Sequence, residues 1–237
     1  MSICLFENKD KKFNEFWTED RDLANFPNPS RILVCSKPNS GKTTLVLNLI
    51  LKQNPPFRKI YLLHPDLKNT LDDDDEDEMK VKEYDSIDFI PLYGIPDPVY
   101  FKPVDKKDAM TKKLLIIDDM ELKTLNKDEK KRLNKVLSFS SSHYNMSVFT
   151  TSQDVFSQIP VSLIRFCNVF ITYPYSSINY NQMLLNRFGI PKKLQEKVID
   201  EMKGYGVHDS LCIDRTENSP CSFRKNLYQP LPKLSFY

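Results

Sequence analysis

A short apolar run that leads into a loop of small and polar residues constrains this chain more than any other stretch. Residues 32–35 (Ile-Leu-Val-Cys) are typical of a β-strand that is buried on both faces. Residues 36–43 follow the pattern G-x-x-x-x-G-K-[ST], with Ser36 in place of the first Gly, and the apolar run 44–51 predicts a helix after them. A strand, a phosphate-binding loop and a helix in this order favour an α/β fold.

The predicted loop offers ligands for both a phosphate chain and a metal ion. The backbone N–H groups of such a loop point inward, and the following helix adds partial positive charge. Lys42 can reach the β- and γ-phosphates of a nucleotide, and the Thr43 hydroxyl can bind Mg²⁺. The alternative is a turn that contains Gly-Lys-Thr by coincidence, and the flanking strand and helix argue against it. The predicted nucleotide-binding residues are Ser36, Lys37, Pro38, Asn39, Ser40, Gly41, Lys42, Thr43 and Thr44.

A second apolar run ends in two carboxylates. Residues 114–117 (Leu-Leu-Ile-Ile) predict a buried strand, and Asp118 and Asp119 follow it directly. At a strand's carboxyl end Asp118 can hold Mg²⁺, and Asp119 can orient and deprotonate the water that attacks the γ-phosphate. Asp119 stands where Glu is commoner, and Glu121 is the alternative base. A strand that ends in a solvated Asp-Asp turn is the other interpretation, which the upstream loop disfavours.

A third polar residue, Gln153, follows residues 145–151, which predict another buried strand. The carboxyl ends of parallel strands meet at one edge of a sheet, so the Gln153 amide can lie where it senses the γ-phosphate or positions water. An ordinary turn residue is an equal alternative. ATP is favoured over GTP, because the nearest match to the N-K-x-D pattern of Ras-type GTPases, residues 126–129, is out of register and follows no predicted strand.

Strands that alternate with helices predict a largely parallel sheet with helices on both faces. The other predicted strands cover residues 59–64, 86–91, 168–173 and, as an edge strand, 207–214, and the other predicted helices cover 127–139, 161–165, 178–188 and 191–203. Residues 92–110 are expected to be irregular, and the acidic run 72–78 to be a solvated loop. The predicted domains are an N-terminal extension (1–30), which packs its aromatic residues on the domain, the P-loop domain (31–203), and a C-terminal strand with an extended tail (204–237).

Composition limits the classes of partner. The formal charge is only +2, so no strong overall field points to nucleic acid. The five cysteines include no C-x-x-C pair, which argues against a zinc module and for a reducing compartment. No signal-peptide pattern opens the sequence, and no apolar run approaches the ~20 residues that span a bilayer. We therefore expect an intracellular protein with no membrane partner.

Together these motifs resemble the FtsK–HerA superfamily of ring ATPases. The resemblance is strongest to the viral branch, the genome-packaging ATPases of poxviruses, of other double-stranded DNA viruses and of virophages. It spans about residues 27–190, and its most specific part is Gln153 followed by the Ile-Arg-x-x-Asn run at 164–168. The segments that carry it are residues 36–44, 114–119, 143–153 and 159–168.

The resemblance implies an α/β P-loop NTPase of the ASCE type that uses ATP and Mg²⁺, with Gln153 as the polar sensor. It also implies a homo-oligomeric ring around double-stranded DNA, which is bound without sequence preference. In such a ring an arginine of one subunit completes its neighbour's site. Arg165 is the candidate by motif position, Arg132 and Arg187 are alternatives, and an ordinary surface salt bridge is the other interpretation of Arg165.

Three functions follow as hypotheses. The favoured one is an ATP-driven DNA translocase that packages a viral genome, with a capsid or its vertex as partner and with the host cytoplasm, a viral factory or the virion as location. The second is a helicase-like nucleic-acid ATPase. The third is a scaffold that binds ATP without hydrolysing it, which Asp119 in place of Glu leaves open.

Overall fold

The computed structural model describes residues 21, 26–53, 55–69, 87–217, 219 and 221–236. The acidic run 72–78 lies outside the described residues, and so do Phe13, Phe16 and Trp17 of the predicted N-terminal extension. Phe26 of that extension is described and is fully buried. The guanidinium carbon of Arg224 lies 4.5 Å from the centroid of the Phe26 ring.

Nine strands form one sheet within the described residues. They are β1 (Arg31–Cys35), β2 (Lys59–Leu63), β3 (Asp88–Leu92), β4 (Lys113–Ile117), β5 (Met146–Ser152), β6 (Val169–Thr172), β7 (Leu211–Asp214), β8 (Phe223–Lys225) and β9 (Gln229–Pro230). Their order across the sheet is β3-β2-β4-β5-β1-β6-β7-β8-β9. The first six strands in this order, from β3 to β6, run parallel to one another. Strands β7, β8 and β9 each pair antiparallel with the strand before them in the order. The expectation of a largely parallel sheet is confirmed.

Helices connect the successive strands from β1 to β7. They are α1 (Lys42–Leu51), α2 (Asp66–Asn69), α3 (Lys106–Met110), α4 (Lys127–Lys135), α5 (Ser141–His143), α6 (Val155–Gln158), α7 (Val161–Phe166), α8 (Ile178–Arg187) and α9 (Lys192–Met202). A 3₁₀ turn at Pro98–Phe101 and a π-helical stretch at Val136–Ser140 complete the helical segments of the described residues. These helices are too short or too polar to cross a lipid bilayer.

The core lies on both faces of the sheet, as the continuous apolar strands predict. In β1, Ile32 and Val34 point to one face and Leu33 and Cys35 to the other, and all four are fully buried. Helix α1 packs on the first face, and α4, α7, α8 and α9 pack on the second. Because both faces of β1 are covered, the loop that follows it is held at the carboxyl edge of the sheet.

The C-terminal part of the sheet differs from the prediction. Strand β7, expected at an edge, is internal, because β8 pairs with it on the side away from β6. The tail after residue 220 folds back as the antiparallel strands β8 and β9 instead of running on as a single extended segment. The boundary at residue 204 stays a prediction, although the strands that follow it continue the same sheet.

The segment 92–110, expected to be irregular, contains the 3₁₀ turn and α3. Two aspartates start these elements. The Asp97 carboxylate accepts a hydrogen bond from the Val99 N–H at 2.9 Å, and the Asp105 carboxylate accepts one from the Asp108 N–H at 2.8 Å. Such caps satisfy N–H groups that a helix start leaves without partners, which is why a proline-rich segment can still turn helical here.

Asp108 links this segment to two neighbouring strands. Its carboxylate accepts hydrogen bonds from Lys59 Nζ and Lys113 Nζ, each at 3.0 Å, and Lys113 is 1% exposed. Burial raises the pKa of Asp108, but these hydrogen bonds, with one from the Val104 N–H, outweigh it and lower the pKa to about 2. Asp108 therefore compensates a lysine charge that the core would otherwise leave unpaired.

Candidate nucleotide-binding site

The loop between β1 and α1 is closed by its own hydrogen bonds. The Ser36 N–H donates to the Ser152 carbonyl oxygen at 3.2 Å, and the Ser36 and Ser40 hydroxyls hydrogen-bond to each other. Gly41 has φ 103°, in the left-handed region that favours glycine. Ser36 does not have a positive φ, so this loop does not require glycine at its first position for that reason.

Lys42 is a buried cation inside this loop. Its side chain is 8% exposed, and its Nζ donates to the carbonyl oxygens of Ser36 and Lys37, each at 3.3 Å. Within the described residues Lys42 forms no salt bridge with a carboxylate. Thr43 and Thr44 are exposed at the first turn of α1. A buried ammonium at a helix N-terminus is completed by an anion, and a phosphate chain fits this requirement.

The acidic pair follows β4, and a threonine of the neighbouring strand β5 holds both of its members. The Thr151 hydroxyl donates to Asp118 Oδ1 and accepts a hydrogen bond from the Asp119 N–H at 3.0 Å. Asp119 has φ 48°, so the backbone turns sharply directly after the strand. Thr151 is 1% exposed. Thr151 was not predicted as a site residue, although a polar run at the end of a buried strand is a signal that could have identified it.

Gln153 contacts the second carboxylate. Its Nε2 donates to Asp119 Oδ2 at 2.9 Å, and Asp119 Oδ1 is buried with no hydrogen-bond partner among the described residues. The Gln153 backbone is held in turn, since its N–H donates to Gln158 Oε1 at 3.0 Å and its carbonyl oxygen accepts from the Tyr175 hydroxyl at 3.3 Å. The structure therefore joins Asp119 and Gln153, whose catalytic roles stay predictions.

His64 is a further polar residue that the sequence analysis did not place at this edge. It follows β2, and its Nε2 lies 4.0 Å from Asp118 Oδ2. Its Nδ1 accepts a hydrogen bond from the Asp66 N–H at 3.1 Å, which leaves Nε2 as the protonated nitrogen of the neutral ring. The rule that placed Asp118 and Gln153 at strand ends applies equally to His64.

Proteins of known structure share this fold. No protein-family model matches the chain, and no curated protein matches it in sequence. Its structure is similar to the genome packaging NTPase B204 of Sulfolobus turreted icosahedral virus 2 in complex with ATPγS, with a TM-score of 0.54, 14% identity, and coverage of 86% of this chain and 98% of that chain.

Two further solved structures are similar. One is B204, the DNA-packaging ATPase of Sulfolobus turreted icosahedral virus, with a TM-score of 0.55, 15% identity, and coverage of 86% of this chain and 98% of that one. The other is the pCW3 conjugation coupling protein TcpA with ATPγS, with a TM-score of 0.50, 10% identity, and coverage of 93% and 68%. The chain folds as a P-loop NTPase. Within it β5 separates β1 from β4, the strand arrangement of the ASCE type.

Magnesium fits the metal ligands that this edge of the sheet offers. Within the described residues no group of three or more His, Cys, Asp or Glu side chains could hold an ion. Mg²⁺ prefers one or two protein oxygens together with water and substrate phosphates. Asp118 Oδ2 and the exposed Thr43 hydroxyl can supply those oxygens, so the site suits an ion that arrives with a nucleotide.

The structure does not bring Arg165 to the P-loop of its own chain. Arg165 is exposed on α7, and its side chain forms no ion pair within the described part of the chain, so the surface salt bridge of the alternative interpretation is not observed there. The helix leads to Asn168, whose Oδ1 accepts from the Arg31 N–H at 2.8 Å, at the start of β1. The P-loop follows the other end of β1. Arg132 and Arg187 are half-buried on α4 and α8.

Proposed function

We propose that this protein is an ATP-driven double-stranded DNA translocase that packages a viral genome into a capsid. One arrangement carries the proposal: a buried Lys42, which has no carboxylate partner among the described residues, lies at the same sheet edge as Asp118 and the Asp119–Gln153 pair. The similarity in fold to structures described as a genome packaging NTPase and a conjugation coupling protein supports the choice of DNA as the partner.

In the proposed reaction the loop residues 36–44 bind the phosphates of ATP, and Lys42 contacts the β- and γ-phosphates. Thr43 and Asp118 bind Mg²⁺, which offsets the negative charge of the phosphates. Asp119 orients and deprotonates the attacking water. It can do so only after its carboxylate turns, since one oxygen is bonded to Gln153 and the other is buried. Gln153 therefore links the state of the nucleotide to the state of the base.

The assembly is also part of the proposal. Subunits form a homo-oligomeric ring, and Arg165 of one subunit stabilises the phosphoryl charge in its neighbour's site. Arg165 is exposed, and its helix leads to Asn168 at the end of β1 opposite the P-loop, which supports such an action between subunits. DNA is held through its phosphates, so binding is independent of sequence and weakens with salt. The capsid or its vertex is the second partner, in the host cytoplasm, a viral factory or the virion.

One observation favours a second candidate, a scaffold that binds ATP without turnover. Both Asp119 oxygens are engaged or enclosed, and its side chain is one methylene shorter than that of Glu. A helicase-like ATPase is the third candidate, which the structure does not favour. The three differ in turnover and in what they do to DNA, so a single set of assays separates them.

The test is ATP hydrolysis by the full chain with and without blunt duplex DNA, at low and high salt. We expect turnover that duplex DNA stimulates, loss of ATP binding or turnover in Lys42→Ala, and retained ATP binding without hydrolysis in Asp119→Asn. ATP binding without turnover in the unaltered chain identifies the scaffold, and strand separation identifies the helicase. Normal hydrolysis by Asp119→Asn shows that Asp119 is not the base.

A further inference from the structure

A cleft of about 650 Å³ opens beside the P-loop, on the side away from Asp118 and Gln153. Its walls come from α1, from Tyr173 after β6, from residues 208–210 before β7, and from residues 226–228 between β8 and β9. His208 Nδ1 lies 3.3 Å from the Ser40 carbonyl oxygen, so this wall contacts the loop directly. The volume is in the range that binds a small organic ligand.

The strand order places this cleft at the nucleoside end of a bound nucleotide. The acidic pair and Gln153 follow β4 and β5, on one side of β1, whereas β6, β7 and β8 lie on the other side. If the γ-phosphate faces the acidic pair, the α-phosphate and the nucleoside extend the opposite way. The cleft also contains Gly41 and Thr44, at the start of α1, where N–H groups bind phosphate.

A neighbouring cleft lies next to the same loop but fits less well. Its lining consists of residues 37–40, 173–176, 178, 181, 199, 202–203 and 205–207. Ile199 and Met202 of that lining belong to the core on the face opposite α1. This second cleft therefore does not extend along α1, which is the direction in which the α-phosphate of a bound nucleotide would point.

Asn48 indicates which ligand fits the cleft between α1 and residues 226–228. It lies in the interior of α1, lines the cleft and is 6% exposed, yet its Oδ1 has no hydrogen-bond partner among the described residues. Asparagine is a poor helix former, and a buried polar atom without a partner is costly. A side-chain amide offers one donor and one acceptor next to each other, which match the edge of adenine.

We propose that this cleft binds the adenine base of ATP and that the Asn48 amide hydrogen-bonds to the edge of that base. The inference rests on the proposed function, because it requires the triphosphate to bind at Lys42. The rings of Tyr173, His208 and Tyr228 line the same cleft and supply flat surfaces for a purine. Asn48 is a binding residue that contacts the base and not the reacting phosphate.

Binding of two probes to the full chain, measured by calorimetry with Mg²⁺ present, tests the proposal. ATP carries the base, and inorganic tripolyphosphate carries the phosphates alone. We expect Asn48→Leu to weaken ATP binding about tenfold and to leave tripolyphosphate binding unchanged. Asn186→Leu, the same change at an exposed position of α8, is the matched control and should alter neither. Asn48→Asp should shift preference toward GTP, since a carboxylate accepts from the adjacent N1–H and N2–H of guanine.

The outcomes separate this inference from the proposed function. If ATP and tripolyphosphate both bind and Asn48→Leu keeps the ATP affinity, the base site is wrong and the phosphate site stands. If neither probe binds the unaltered chain, both proposals are overturned. If Asn48→Leu does not fold, purine riboside triphosphate, which lacks the 6-amino group, replaces the variant. Affinity equal to that of ATP overturns the contact, and about tenfold weaker binding supports it.

Discussion

Replacement of Thr151 by valine tests how the acidic pair is positioned. Valine has nearly the shape of threonine but lacks the hydroxyl that donates to Asp118 Oδ1 and accepts from the Asp119 N–H. Thr151→Ser is the matched control, because serine keeps the hydroxyl and loses only the methyl group. The two variants therefore separate the hydrogen bonds from the packing of one side chain.

The expected loss of stability follows from these contacts. A hydrogen bond to a charged group contributes about 1.5–3 kcal/mol, and an N–H left without a partner costs about 1–3 kcal/mol. Together the two contributions amount to about 2.5–6 kcal/mol. The Asp118 side chain is 24% exposed and can regain water, so for Thr151→Val we expect a loss in the lower part of that range, about 2.5–4 kcal/mol. Thr151→Ser removes one buried methyl group, which should cost about 1 kcal/mol.

Two measurements check this prediction. Urea unfolding gives the free energy of unfolding of each variant, and steady-state kinetics gives kcat and the affinity for ATP. Because Thr151 acts on the carboxylates and not on the P-loop, we expect Thr151→Val to lower kcat while ATP affinity changes little, and Thr151→Ser to retain most of kcat. The reasoning is refuted if valine is as stable and as active as serine at this position.

Two more predictions concern Asp108 and Arg165. The pKa of Asp108 in the folded protein is about 2, below the usual 3.8. Its contribution to the free energy of unfolding is therefore fully present above pH 4 and is lost as the pH falls through 2. Asp108→Asn should thus lower the free energy of unfolding by about 1–2 kcal/mol at pH 7. Urea titrations at several pH values should show this difference between variant and unaltered chain shrinking toward pH 2. A difference that stays constant with pH would contradict the ion-pair assignment. For Arg165, mixing inactive Arg165→Ala subunits with inactive Lys42→Ala subunits should restore ATPase activity. The reason is that some interfaces then combine the intact P-loop of an Arg165→Ala subunit with the intact arginine of a Lys42→Ala subunit. A mixture as inactive as either parent argues against action between subunits.

The local elements of the site could be predicted because their signals are local. A run such as 114–117 is apolar at every position, which predicts a strand buried on both faces, and β4 is fully buried. The Gly-Lys-Thr segment predicts a loop that ends in a helix, and α1 begins at Lys42. Prediction was wrong where partners are distant, as for β7, whose internal position depends on a strand after residue 220.

The sequence by itself determined the parallel α/β architecture, the loop that joins β1 to α1 and the strand that ends in two carboxylates, because hydrophobic periodicity and turn residues act over a few neighbouring positions. Only the tertiary structure decided that Thr151 holds the carboxylates, that His64 lies beside Asp118, and that Asn48 lines a cleft with Tyr228. These partners are 33, 54 and 180 residues apart in the chain. Hydrogen bonds and clefts of this kind exist only once the order of the strands brings such distant residues to one edge of the sheet.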